Sequence, residues 1–225
     1  MEQDFKAVVF DMDGVIFDSE KLVVLCWQEI ADKYNIVGIE EQCRRCLGLN
    51  REAAKQKMLE HYGMDFPYDA YKKEMSDLYH SRYSGGRLPM KPGVVEILTF
   101  LKENGKKIAL ASSTRKEVVV AELRDAGIID YFDKVICGDM VARSKPEPDI
   151  FLKACEELEV AVKDAYAIED SYNGIRAAHR AGMMPVMVPD LAEPTKEMEQ
   201  LTVAIIPSLL EVLEWLDKCD TARAK

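Results

Sequence analysis

Hydrophobic positions along this chain follow three rhythms. Lys6-Ala-Val-Val-Phe10 is a short apolar run without polar alternation, the pattern of a strand buried on both faces of a parallel sheet. From about residue 20 to 83 no comparable run appears. Apolar residues recur there at helical spacing and predict amphipathic helices over 20–34, 40–47, 51–62 and 67–83. Gly85-Gly86 and Lys91-Pro-Gly93 then break the pattern. Beyond them strands and helices alternate. Strands are predicted at 107–111, 134–136, 165–169, 185–188 and 204–206, with helices over 94–104, 116–126, 149–158, 172–181 and 208–218. Such alternation predicts an α/β fold, a Rossmann-like doubly wound parallel sheet covered by helices on both faces. The core domain would comprise residues 1–18 and 89–225, with residues 19–88 inserted as a helical cap domain.

Composition narrows the partners. Of 225 residues, 48% are hydrophobic and 31% charged, which suits an ordered globular chain and is too apolar for disorder. The formal net charge of -10 repels nucleic acid and anionic membranes, so neither is an expected partner. A phosphorylated ligand stays compatible, because a metal or a local group of cations can invert the potential inside a pocket. No run reaches the roughly 18 apolar residues of a membrane span. The first residues lack a basic stretch followed by an apolar one, so no signal peptide is expected. Six cysteines scattered through the chain suit a reducing compartment, and a cytoplasmic location is expected.

In open α/β sheets, ligands bind at the carboxyl ends of the strands. The first predicted strand ends in Asp11-Met-Asp-Gly14. Two carboxylates so close repel each other, so one holds a proton or a cation binds between them. Either state is useful, as a nucleophile or as a general acid and base; alone, the pair also reads as a solvated acidic turn. It is no calcium loop, lacking ligands at the fifth and twelfth positions. The second strand ends in Ser112-Ser-Thr114, hydroxyls suited to a phosphoryl oxygen or, taken alone, to capping the helix at Lys116. Ser144-Lys-Pro-Glu-Pro148 offers Lys145 on a proline-stiffened loop, either as a neutralising ammonium or as a surface lysine. Glu169 and Asp170 end the strand at 165–169 and offer oxygen ligands for a hard cation, or a helix cap. Together the tips supply a carboxylate pair, a hydroxyl, a cation and metal ligands, the inventory of phosphoryl transfer.

Phe10-Asp-Met-Asp-Gly14, the strand end at Ser112, Lys145-Pro146 and Glu169-Asp170 resemble, in that order, the four motifs of the haloacid dehalogenase superfamily, over nearly the whole chain. The helical insert sits where that superfamily's first cap class sits. Phe17-Asp-Ser-Glu20, Lys145-Pro-Glu-Pro-Asp-Ile-Phe151 and Glu169-Asp-Ser-Tyr-Asn-Gly-Ile175 are similar to its β-phosphoglucomutase-like phosphatase branch. The resemblance implies that Asp11 attacks phosphorus to form an aspartyl-phosphate, while Asp13 protonates the leaving oxygen and then activates water or an acceptor hydroxyl. It implies Mg2+ held by Asp11, the main-chain carbonyl of Asp13 and Asp170, with Glu169 in or beside the same shell. Ser112 and Lys145 would orient the phosphoryl group, with Ser113 as a further contact. The presence of Asp13 argues for phosphate over halide chemistry.

The acceptor separates two readings. β-Phosphoglucomutases carry a histidine on the first cap helix, and the corresponding position here is Val23; His61, His80 and His179 all lie far from it in sequence. Arg51 falls where the mutases hold a distal phosphate, and also reads as an exposed charge opening a helix. The expectation is a phosphatase for a small phosphorylated metabolite, a sugar phosphate, acting as a monomer. A β-phosphoglucomutase-type isomerase is the alternative, and a non-catalytic phospho-ligand binding protein the remote one. A phospho-accepting receiver domain would carry its aspartate after the third strand and lack the insert. Cys43-x-x-Cys46 has no second cysteine or histidine pair nearby for zinc. Trp27, Tyr34, Met58 and Tyr62 are expected to form the insert's core, and Met183 and Met184 to pack. The linkers near Ser19 and Met90 are expected hinges.

Overall fold

The computed structural model describes residues 5–46, 49 and 51–221, and the side chains of these except residues 51, 220 and 221. Six parallel strands form one sheet: β1 (Ala7–Phe10), β2 (Lys107–Ser112), β3 (Lys134–Cys137), β4 (Ala165–Glu169), β5 (Met184–Met187) and β6 (Ala204–Ile205). Their order is β3-β2-β1-β4-β5-β6, with Val9 of central β1 in register with Ala109 of β2 and Ala167 of β4. The doubly wound sheet expected from strand-helix alternation is thus present.

Side-chain size divides the two faces. Val8 and Phe10, Ile108 and Leu110, and Tyr166 and Ile168 point to one side. They pack against α5 (Val94–Glu103), α6 (Lys116–Asp125) and α10 (Leu209–Thr221). The intervening Ala7 and Val9, Ala109 and Ala111, and Ala165 and Ala167 face α7 (Asp149–Leu158) and α8 (Tyr172–Ala181). Alternate side chains of a strand point to opposite faces, so this large-small rhythm gives one thick layer and one close-packed layer. Met183 is buried under the small-residue layer and Met184 packs on the other, as expected.

Four helices lie between β1 and α5: α1 (Ser19–Tyr34), α2 (Ile39–Arg45), α3 (Arg51–Tyr62) and α4 (Tyr68–Tyr83). They enclose a separate apolar cluster that includes Cys26, Trp27, Ile30, Met58, Tyr68 and Met75. Trp27 and Met58 are buried as expected, and Tyr62 is partly so. Tyr34 is 39% exposed instead. Its hydroxyl donates to Glu74 Oε2 at 2.8 Å and its ring lies 4.5 Å from that of Tyr71, so the polar end keeps it at the edge. The two chain crossings run side by side. Phe17 pairs with Met90, Asp18 N–H donates to the carbonyl of Pro89 at 3.0 Å, and Lys91 N–H to that of Ile16 at 2.9 Å.

One helix, α9 (Lys196–Leu201), has no counterpart in the sequence expectations. It buries only Met198, so it carries no periodicity to read, and Thr195 opens it by accepting from Met198 N–H at 3.3 Å. Leu47, where the second insert helix was expected to end, and the tail beyond Thr221 lie outside the described residues.

Ile97 sits fully buried on α5 among the large-residue layer. Ile97→Ala is expected to cost about 2–5 kcal/mol, read as a lower urea midpoint at unchanged slope. A loss below about 1 kcal/mol would contradict the packing described for this layer.

Candidate active site

The carboxyl ends of β1, β2 and β4 converge on one ammonium group. Lys145 Nζ donates to Asp11 Oδ1 at 2.5 Å, to Glu169 Oε1 at 2.6 Å and to the carbonyl of Ala111 at 3.0 Å. All three ammonium protons are used, and each reaches a different strand tip. Lys145 comes from the loop before α7, ahead of Pro146, and is itself buried. Glu169 is fully buried, and its other oxygen accepts from the N–H and Oγ of Ser171 at 3.2 and 3.0 Å. Ser171 also opens α8 by accepting from Gly174 N–H at 3.0 Å, so the cap is Ser171 and not Asp170. Gly174 permits this approach, because a Cβ there would overlap the Glu169 carboxylate.

Asp13 is oriented from two sides. Ser19 Oγ, at the start of α1, donates to its Oδ1 at 2.6 Å, and Thr114 Oγ1, beyond β2, donates to its Oδ2 at 3.3 Å. The turn that brings Asp13 over the tip of β1 passes through Gly14 at φ 79°, a backbone region that favours glycine. A Cβ on Gly14 would also overlap the Asp170 carboxylate.

Asp170 is only 2% exposed, and its Oδ2 has no hydrogen-bond partner among the described residues. Carboxylate oxygens of Asp11, Glu169 and Asp170 lie within 4.8 Å of one another. A buried carboxylate oxygen without a donor is costly, and three hard oxygens at this spacing suit a divalent cation. The residues therefore fit a metal. Electrostatics agree. Burial raises Asp11 to about 7, and the neighbouring Glu169 and Asp13 add to that, while Lys145 pulls it back. Burial opposes the charge on Lys145, but Asp11 and Glu169 more than offset this and hold it protonated. One ammonium cannot neutralise two carboxylates. Burial and the charges of Glu20 and Glu169 push Asp170 well above the usual carboxylate range.

These groups floor a cleft of about 630 Å³ between the sheet and the helical insert. Asp11, Asp13, Lys145 and Asp170 line it with Ser113 and Thr114. Ser112 is fully buried at the tip of β2, its Oγ accepting from Thr114 N–H at 3.1 Å. The helix at Lys116 is reached instead by Asp139, whose Oδ1 accepts from Lys116 N–H at 3.1 Å. Val23 faces the cleft from α1, and the side chain of Arg51 lies outside the described residues. Three contacts escaped the sequence reading, although Thr114 stood among its candidate hydroxyls and Ser19 at its expected hinge. Ser19 and Thr114 hold Asp13 only through the folded chain, and their residue types gave no warning. His80, remote from Val23 in sequence, reaches the cleft from α4 with Lys72 and Ser76. Their spacing of four marks a polar stripe on an otherwise apolar helix face, a signal that was legible.

Burial also raises Glu20 to about 8, assisted by the charges of Asp13 and Asp190. The folded, metal-free protein thus keeps protons on Asp11 and Glu20 to higher pH than the unfolded chain, where they leave near 3.8 and 4.5. Stability from these groups is full below those unfolded values and is lost as pH rises through about 7 and about 8. A divalent cation competes with the same protons. The metal-free melting temperature is expected to fall from about pH 5 to about pH 8, and the gain on adding a divalent cation to grow over that interval. A gain independent of pH would contradict the assignment of these carboxylates.

Known proteins resemble this chain over most of its length. Residues 8–188 match the haloacid dehalogenase-like hydrolase family. A phosphorylated carbohydrates phosphatase of Thermotoga maritima is 32% identical over 213 residues, covering 93% of this chain and 98% of its own. A β-phosphoglucomutase of Bacillus subtilis is 35% identical, covering 81% and 83%. The crystal structure of β-phosphoglucomutase from Clostridium difficile superposes with a TM-score of 0.76 at 25% identity, covering 96% of each chain. The match spans the strand tips that Lys145 joins and the acidic cluster beside them, and this chain belongs to the haloacid dehalogenase-like hydrolase family, as an enzyme of its phosphoric monoester hydrolase kind.

Proposed function

We propose that this enzyme hydrolyses a small sugar phosphate through an aspartyl-phosphate on Asp11, with Mg2+ as its metal. The observation that carries the reading is Asp11 itself, a buried carboxylate at the cleft floor, fixed by Lys145 and beside an Asp13 oriented from both walls. Asp11 forms a bond to phosphorus as the bond to the sugar oxygen breaks, and Asp13, as the general acid, gives a proton to that oxygen. Asp13, now a carboxylate, takes a proton from water as the water oxygen bonds to phosphorus and the bond to Asp11 breaks. Lys145 and Ser112 orient the phosphoryl oxygens. Ser112 keeps its own hydroxyl proton to donate while accepting from Thr114, and Ser113 adds a contact from the cleft wall. Asp11, the main-chain carbonyl of Asp13, Asp170 and adjoining Glu169 would hold the Mg2+, which supplies positive charge against the transferring phosphoryl group.

Residues 19–88 act in this reading as a cap that closes over the substrate and excludes bulk water, with hinges near Ser19 and Met90. The apolar wall with its stripe of Lys72, Ser76 and His80 suits a polyhydroxylated ligand of modest size. Arg51 is assigned to a distal charge of the substrate. The related phosphatase and the Val23 side chain in the cleft favour hydrolysis. The β-phosphoglucomutase relative and an imidazole at the cleft wall keep transfer to a second hydroxyl as the alternative. The enzyme is read as a cytoplasmic monomer.

Phosphate release from a panel of sugar phosphates with Mg2+ separates the readings. Hydrolysis is expected, abolished by chelation and reduced at least about 1,000-fold in Asp11→Asn. Conversion of β-glucose 1-phosphate to glucose 6-phosphate without phosphate release would establish the mutase instead. Hydrolysis that persists in Asp11→Asn would overturn the assigned nucleophile.

A further inference from the structure

A second acidic group stands beside the first and shares one member with it. Asp190 follows β5, and its side chain is 2% exposed. Its Oδ1 accepts from Lys91 at 2.6 Å and pairs with Lys21 at 3.1 Å, while its Oδ2 is buried with no hydrogen-bond partner among the described residues. Asp170 Oδ2 is in the same condition. Glu20, in the first turn of α1, completes the group, and one carboxylate oxygen from each of the three lies within 4.8 Å of the others.

We propose that Glu20, Asp170 and Asp190 form a second cation site, for a hard divalent ion such as Mg2+, Mn2+ or Ca2+. Three observations lead there independently of the phosphatase reading. Asp190 presents a buried oxygen that no donor among the described residues reaches, a condition that the Asp11, Glu169 and Asp170 group does not relieve and a cation beside Glu20 and Asp170 would. The charges acting most on Asp170 come from Glu20, Glu169, Asp11 and Asp190, and all are negative. The nearby ammonium groups are committed elsewhere: Lys145 to the first group, Lys21 and Lys91 to Asp18 and the other oxygen of Asp190. Among the described residues, Glu20 and the Oδ2 of Asp190 are therefore left without a cationic partner. The donor set is all carboxylate oxygen, which selects Mg2+, Mn2+ or Ca2+ over softer metals. Asp170 has two oxygens and can serve one ion with each.

The position gives the site a consequence. Asp170 and Asp190 belong to the sheet domain, whereas Glu20 lies on the first helix of the insert, one residue after the Ser19 that holds Asp13. A cation here joins the insert to the sheet at the crossing that carries the expected hinge.

Counting Mn2+ bound to the full chain by equilibrium dialysis, with electron paramagnetic resonance to separate free from bound ion, tests this without any turnover. Failure of the count therefore leaves the phosphatase reading intact. Two ions per chain are expected at millimolar Mn2+, falling to one in Glu20→Gln and in Asp190→Asn, with circular dichroism confirming that each variant is folded. Glu20→Gln decides the matter if Asp190→Asn does not fold. One ion per chain in the unsubstituted protein, or two surviving in either folded variant, overturns the proposal.

Discussion

The site depends on one buried ammonium group serving three strand tips. Lys145 satisfies Asp11, Glu169 and the carbonyl of Ala111 together, so β1, β2 and β4 end in fixed relation to one another. Removing one partner of such a buried pair typically costs about 3–5 kcal/mol, because it leaves a desolvated charge behind. Here two carboxylates would be left. Burial raises Asp11 to about 7, and the same arrangement is one positive charge short, so Lys145 does not bring it back to the usual carboxylate range. That shortage makes the strand tips receptive to a cation, and makes cation binding and proton loss two sides of one equilibrium.

Packing delivers these tips with little freedom. The large residues of β1, β2 and β4 press on α5, α6 and α10, while the alanines opposite let α7 and α8 close in. The sheet is thereby gripped on both faces just behind Asp11 and Glu169. Asp13 differs, because its partners Ser19 and Thr114 come from the insert's first helix and from the loop after β2. Its orientation is therefore coupled to the insert, whereas that of Asp11 is set within the sheet. In the proposed reaction, the nucleophile is constant and the proton donor is assembled as the cleft closes.

The strand tips were legible because local pattern and chemistry coincide there. An unbroken apolar run that stops at Asp11, and another that stops at Glu169-Asp170, announce both strand and site. The large-small alternation within those runs was also present in the letters, but its meaning for the helices needed the sheet order. Tyr34 misled because helical spacing records which face a residue is on and not how near the edge it stands. α9 was too short to show a period. Capping of α8 by Asp170 stayed open as an alternative because Ser171, the next residue, is an equally good cap by type, and only the fold shows that Ser171 is the cap and that it binds Glu169. Asp190 and Glu20 carried no local signal at all. They lie 170 residues apart in sequence, and only the return of β5 beside β4 brings them to the same carboxylate.

The account turns on covalent capture of phosphorus by Asp11. Acid quench of the enzyme during turnover of a 32P-labelled sugar phosphate, followed by proteolysis and peptide mapping, addresses this directly. The account predicts label on the peptide that carries Asp11, in an acyl-phosphate linkage cleaved by hydroxylamine. Label on a serine, or turnover with no labelled protein at any quench time, would contradict it.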